Sequence, residues 1–199
     1  MGYHHGDLRE ALVQSAIALI AEAGPAGLSL RKVAIQAGVS HAAPYHHFKD
    51  KEALLAAVCE HGFVKLTAAM ATATHDDPFE RVHRMGQAYM RFALSEPDLY
   101  RFMFSTAVPD KNLHPELMQC AHGTFQLLVD AIADCVATGE ARPGHPVMLA
   151  TQVWSMTHGL ASLMSDDMVD KPVSESGATL DPEALIEHYL HAVSRSFRR

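Results

Sequence analysis

The sequence is poor in the residues that mark a disulfide scaffold or an enzyme. Cysteine occurs three times in 199 residues, at Cys59, Cys120 and Cys135. An odd number at wide spacing excludes a disulfide framework and fits a reducing compartment, so a cytoplasmic location is expected. No Gly-x-Ser-x-Gly, His-Glu-x-x-His, Gly-rich phosphate loop or Cys-x-x-Cys is found. Hydrolase, zincin, nucleotide-binding and thiol-redox chemistry therefore have no motif to rest on, and neither enzymatic activity nor a cofactor is expected. A run of ~18 apolar residues is also missing, so no membrane span is expected. The start, "MGYHHGDLREAL", lacks the charged head and apolar stretch of a secretory signal. Strand-like alternation, internal repeats and low-complexity tracts are absent as well.

Excess positive charge is the last absence. The net charge is −7. Residues 1–60 hold five Lys/Arg against six Asp/Glu, and the remaining 11 basic and 17 acidic residues lie beyond, so most of the acidity is outside the first 60 residues. A general nucleic-acid binder has a basic surface. Any such contact here has to be local, drawing on helix N-termini, which attract phosphate without side-chain charge.

What remains is helix. Hydrophobic residues make up 48% of the chain, enough for a sizeable core. Leu12, Ala16, Leu19 and Ala23 repeat at helical spacing until Gly24-Pro25. In "SLRKVAIQAG", Ser29 is the expected N-cap, Leu30, Val33 and Ala37 form the apolar stripe, and Gly38 suits a left-handed C-terminal turn. Ser40 is the expected cap of a further helix, "HAAPYHHF", with Pro44 as its fourth residue. Asp50 caps a long helix with Leu54, Val58, Phe63, Leu66 and Met70. Asp77-Pro78 and Asp181-Pro182 have the cap-then-proline form of a helix start. Further helices start near Pro97, Pro115 and His145, and a polar loop, "SDDMVDKPVSESGATL", precedes the last one. The expectation is an all-α protein of about nine helices.

The segment "GVSHAAPYHHFKDKEAL" carries the chemistry. Two helices joined through Gly38, Val39 and Ser40 have the form of a helix-turn-helix, which presents the start of its second helix to a major groove. His41, Ala42 and Ala43 are small or polar, so the backbone can approach base edges, and the alanine methyls can meet thymine methyls. Tyr45 and His47 can donate to phosphates or bases, and Lys51 can pair with a phosphate. Phe48 and Leu54 are expected to anchor the unit.

At these residues the chain resembles the TetR family of bacterial transcriptional repressors. The resemblance rests on "SLRKVAIQAGVS" followed by "PYHHFKDKEALL", and covers roughly residues 5 to 60. The later "VWSMTHGLA" resembles a Trp-x-x-x-His-Gly signature of one subgroup's regulatory domain. By position, the resemblance implies that Arg31, His41, Ala42, Ala43 and Tyr45 face bases, and that Ser40, His47 and Lys51 face phosphates.

The histidines invite a metal reading that their spacing does not support. Cys59/His61 and Cys120/His122 are two apart and point to nearly opposite sides of a helix. His188 and His191 share a face, but on a terminal helix. No metal site is expected. Trp154 and His158 are four apart, hence on one face; they line a ligand pocket or form a packing pair, with Gly159 allowing a close helix approach. Tyr89, Phe92, Phe102, Met103, Met118 and Phe125 follow helical spacing, as core residues of which a subset lines a cavity.

The expected organisation is a helix-turn-helix DNA-binding domain over residues 1–50 and a helical ligand-binding and dimerisation domain over 51–199. The expected partners are a palindromic double-stranded operator, an unknown small-molecule effector, and a second copy of the chain. Helices 145–166 and 182–197 are the expected dimer seam, through stripes of Val147, Ala150, Trp154, Ala161 and Met164, and of Leu185, Ile186, Tyr189, Leu190 and Val193. The rival expectation is an all-helical small-molecule binding protein without DNA activity. Effector, operator and the choice between repressor and activator are not legible.

Overall fold

The computed structural model describes residues 5–108, 110–169 and 181–199, with side chains from residue 8 onward. Most of the polar loop before the last helix lies outside the described residues. Among the described residues there are eight α-helices: α1 His5–Ala23, α2 Leu30–Gln36, α3 Lys51–Ala71, α4 Pro78–Ser95, α5 Pro97–Phe104, α6 Pro115–Ala137, α7 Pro146–Ser165 and α8 Pro182–Phe197. Among the described residues there is no strand, only one isolated antiparallel bridge between Ala141 and Arg198.

The helix starts follow local chemistry. Ser29 Oγ accepts the Lys32 N–H at 3.2 Å, and Asp50 Oδ1 accepts the Ala53 N–H at 2.8 Å. Asp77 accepts from Phe79 and Glu80, and Asp181 from Glu183 and Ala184. Each cap satisfies donors that the first turn leaves open, at about 0.5–2 kcal/mol per helix. The hydrogen bonds from Glu80 and Phe79 also hold the exposed Asp77 carboxyl below its ordinary range.

One expected helix is absent. "HAAPYHHF" forms a turn followed by a 3-10 segment, Ala43–His46, and not an α-helix capped by Ser40. The reason is Pro44. The first α-type bond from a Ser40 carbonyl would need the N–H of Pro44, which does not exist, and the ring crowds that carbonyl. The Ser40 carbonyl takes the Ala43 N–H at 3.0 Å instead, and the chain tightens to three residues per turn. The expected count of about nine becomes eight for this reason.

The chain divides into two compact units, Met1–Val64 with Asp98–Ala121, and Lys65–Pro97 with His122–Arg199; the division falls within α3 and α6. In the first unit, Leu12, Val13, Leu30, Val33, Phe48, Leu54 and Val58 are buried, together with Leu99, Tyr100 and Met103 of α5. Each such side chain contributes about 1.5–3 kcal/mol by leaving water. α3 has the length and composition of a membrane span. Its Leu54, Val58, Cys59, Leu66 and Met70 are buried, which accounts for that apolarity as the character of a core helix.

In the second unit α4, α7 and α8 pack on one another. A Cβ on Gly86 would stand 2.8 Å from Leu190 Cδ2, so a larger residue there would have to displace the Leu190 side chain between α4 and α8. Part of the stripes expected at a dimer seam packs within the chain. Ala150, Ala161, Met164, Ile186, Leu190 and Val193 are all buried within the chain. α7 is apolar on more than one face, and its outward apolar residues are Val147, Met148 (73% exposed) and Leu163 (48%).

Candidate functional site

The turn between α2 and the 3-10 segment is built by Gly38. Its φ of +68° lies in the left-handed region that favours glycine. The Val39 N–H reaches the Ala34 carbonyl at 3.0 Å, and the Gly38 N–H reaches that of Ile35 at 3.1 Å, the paired bonds of a Schellman end. The chain leaves this turn with Ser40, His41 and Ala42 exposed. Pro44 and Phe48 are buried and fasten the segment to the unit, while Tyr45 points outward at 59% exposure.

The expected DNA-facing residues thus split. Arg31, Ser40, His41, Ala42 and Tyr45 are exposed; Ala43, His47 and Lys51 are half-buried. Lys51 Nζ donates to the Ala26 carbonyl at 3.1 Å. It ties the start of α3 back to the loop before α2. Lys49 directly follows Phe48 and is an exposed cation beside this segment. Its side chain is 80% exposed, with Asp50 at 3.8 Å. Lys32 also bonds inward, to the Gly27 carbonyl at 2.7 Å.

Of the eight residues expected near a ligand, four come together, all in the second unit. The Tyr89 hydroxyl is 2.8 Å from His158 Nδ1, and Trp154 Nε1–H donates to it at 3.4 Å. The Trp154 ring lies 5.7 Å from that of Phe125 and 5.7 Å from that of His158. Burial holds the His158 imidazole below its ordinary pKa, so it is neutral near pH 7. Phe92 is buried on α4. Phe102, Met103 and Met118 belong to the first unit and are not part of this group. Gly159, expected to admit a close helix, meets nothing within 4 Å of an added Cβ.

Sequence spacing missed a second polar group. Gln87 Nε2 donates to Glu187 Oε1 at 2.6 Å, His83 Nε2 is 3.2 Å from Glu187 Oε2, and His191 stacks on His83 at 5.0 Å. Partial burial works against the Glu187 charge, yet the bonds from Gln87 and His83 hold its carboxyl below the usual range. Among the described residues no three His, Cys, Asp or Glu are placed to hold a metal ion. Burial pushes the Cys59 and Cys135 thiols up to about 12, which leaves them without nucleophilic thiolate.

These features agree with the comparisons to known proteins. Residues 12–58 match the family described as bacterial regulatory proteins, tetR family, and residues 82–193 match the tetracyclin repressor-like C-terminal domain. An HTH-type transcriptional repressor of Mycobacterium tuberculosis is 35% identical over 89 residues, 44% of this chain and 47% of the relative. The tetracycline repressor protein class C of Escherichia coli is 34% identical over 86 residues, 43% of this chain and 39% of that protein. The match thus spans half or less of these curated relatives. A Rhodococcus protein of unknown function superposes with a TM-score of 0.84 at 30% identity over the whole of both chains. A TetR family transcriptional regulator from Thermus thermophilus shares the fold, with a TM-score of 0.71 at 21% identity over 94% of this chain and 99% of its own. The second family match alone spans more than half of the sequence, and with the helix-turn-helix match it shows that the chain belongs to the TetR family of bacterial regulatory proteins.

Proposed function

We propose that this chain is a ligand-responsive transcriptional repressor that binds a palindromic operator as a homodimer, in the cytoplasm. Residues 1–50 bind DNA, and residues 51–199 form the ligand-binding and dimerisation domain. The observation that carries this reading is the exposed surface of Ser40, His41, Ala42 and Tyr45, fastened from beneath by buried Pro44 and Phe48. Small and hydrogen-bonding groups on a rigid support suit base edges in a major groove. Arg31, Ala43 and His47 add to this surface, and Lys51 reaches a phosphate by exchanging its bond to Ala26. The local surface does not need a basic domain, because phosphates are also met by backbone N–H groups.

The dimer forms through the outward faces of α7 and α8, with Met148 and Leu163 as apolar contacts. The effector, a small molecule, is taken up around Tyr89, Phe125, Trp154 and His158. It favours a dimer whose recognition segments are no longer one DNA turn, ~34–36 Å, apart, so that operator affinity falls by population shift. Footprinting on the DNA upstream of the chain's own coding sequence tests this. Protection of two half-sites about one turn apart supports it. A chain that protects no DNA yet binds a small molecule is the small-molecule binding protein of the rival reading.

A further inference from the structure

The first unit contains a cleft that no role in DNA reading explains. Ala53, Ala56, Ala57 and Glu60 recur at three- and four-residue spacing and so share one face of α3. Three alanines there leave room where larger side chains would fill, and the face lines a cleft of about 270 Å3. Phe48 and Arg9 also line it, as do His114, Glu116 and Leu117. Its volume is just below the ~300–1,000 Å3 of pockets for drug-sized ligands, so a ligand of a few carbon atoms fits.

The charges select the ligand's sign. Two carboxylates, Glu60 and Glu116, line it with one guanidinium, Arg9, and two imidazoles, His47 and His114. His114 adds no uncompensated positive charge, because its Nε2 is 3.2 Å from Glu52. Arg9 itself indicates what is held there. Its guanidinium is 3.5 Å from Glu60 and lies over the Phe48 ring, 5.6 Å from the centroid. A carboxylate beside an aromatic face is a setting that attracts cations.

We propose that this cleft is a second small-molecule site, within the first unit, and that it takes a small organic ammonium ion. The ammonium lies against Glu60 and Glu116, and the alkyl body rests on Ala53, Ala56, Ala57 and Leu117. His47 and Phe48 follow Ala43–His46 directly, so the occupant bears on the residues that end the recognition segment and shifts operator affinity. That coupling rests on the function proposed above; the binding itself does not.

The test is calorimetric titration of the full chain, without DNA, with butylammonium chloride, and with sodium butyrate at equal ionic strength. Saturable binding of butylammonium and none of butyrate is expected. Glu116→Gln, at an exposed position, should weaken butylammonium binding about tenfold, the scale of one charge-assisted contact. Ala57→Leu should abolish it by filling the floor. The proposal is overturned if butyrate binds as well as butylammonium, if no saturable binding occurs, or if Glu116→Gln leaves the affinity unchanged. Because no DNA is present, a chain that fails to bind an operator does not affect this outcome.

Discussion

The hydroxyl of Tyr89 on α4 lies 2.8 Å from Nδ1 of His158 on α7, and Trp154 Nε1–H donates to the same hydroxyl. A single oxygen thus joins three side chains from two helices in the second unit. Tyr89→Phe keeps the ring and removes that oxygen, leaving two partly buried nitrogen groups without this partner. A loss of about 1–3 kcal/mol in unfolding free energy is expected, measured by urea denaturation near neutral pH. An unchanged midpoint would mean that the chain of bonds contributes nothing to the packing of α4 on α7.

The same pair makes stability depend on pH. The folded His158 has a lowered pKa because of burial. Its contribution is therefore fully present above the unfolded value of about 6.5 and is lost as pH falls toward the folded value, since the unfolded chain takes the proton first. His158→Gln removes that titration. Urea midpoints between pH about 7.5 and 5.5 should fall less steeply in the variant than in the wild type. Parallel slopes would exclude His158 as a source of the acid sensitivity.

Tyr45→Ala should weaken operator binding and leave the melting temperature within a degree or two, since the side chain is mostly exposed. Lys51→Ala is the informative contrast. A phosphate contact predicts a salt slope lower by about one unit and equal weakening on every sequence. The bond from Lys51 to the Ala26 carbonyl predicts reduced thermal stability with an unchanged slope. Salt-titrated anisotropy and a thermal melt on the same variant separate the two.

The local features of the fold were legible in the sequence; the long-range ones were not. Ser29, Asp50, Asp77 and Asp181 cap their helices because a cap needs only a side-chain oxygen two or three residues from an open N–H. Gly38 was legible because a left-handed turn at a helix end is likewise set by a single residue. The effect of Pro44 was not legible from its place as the fourth residue alone, because the bond it removes is the one that would begin the helix. Lys51 bonding to Ala26 joins residues 25 apart, and no spacing rule reports such a pair. The α7 stripe divides between the chain's own core, at Ala150, Ala161 and Met164, and the outside, at Val147, because that helix is apolar on more than one face and periodicity alone does not say which face meets the core. Of the aromatic set, Tyr89, Phe125, Trp154 and His158 converge, while Phe102, Met103 and Met118 follow the same spacing in the other unit.

His41→Gln keeps hydrogen bonding but changes its geometry at an exposed position directly after the turn. Operator selection with the variant should alter the preferred base at one position per half-site, worth about 1–3 kcal/mol. Identical selected sequences would remove His41 from the base-reading surface.

Leu163→Glu together with Met148→Glu places charge on the outward face of α7, where the side chains are exposed in the single chain. The fold should survive and the dimer should not. Sedimentation at micromolar concentration is expected to show a dimer for the wild type and a monomer for the double variant. A monomeric wild type would contradict the two-half-site mechanism.

The central claim is sequence-specific DNA binding by the exposed segment from Ser40 to Tyr45. Its most direct test is fluorescence anisotropy of the full chain on its own upstream DNA and on a scrambled duplex of equal length, at one physiological salt concentration. The upstream duplex is expected to bind at least ~10³-fold more tightly, with two chains per site. Equal affinity for the two duplexes, or no binding to either, would contradict it.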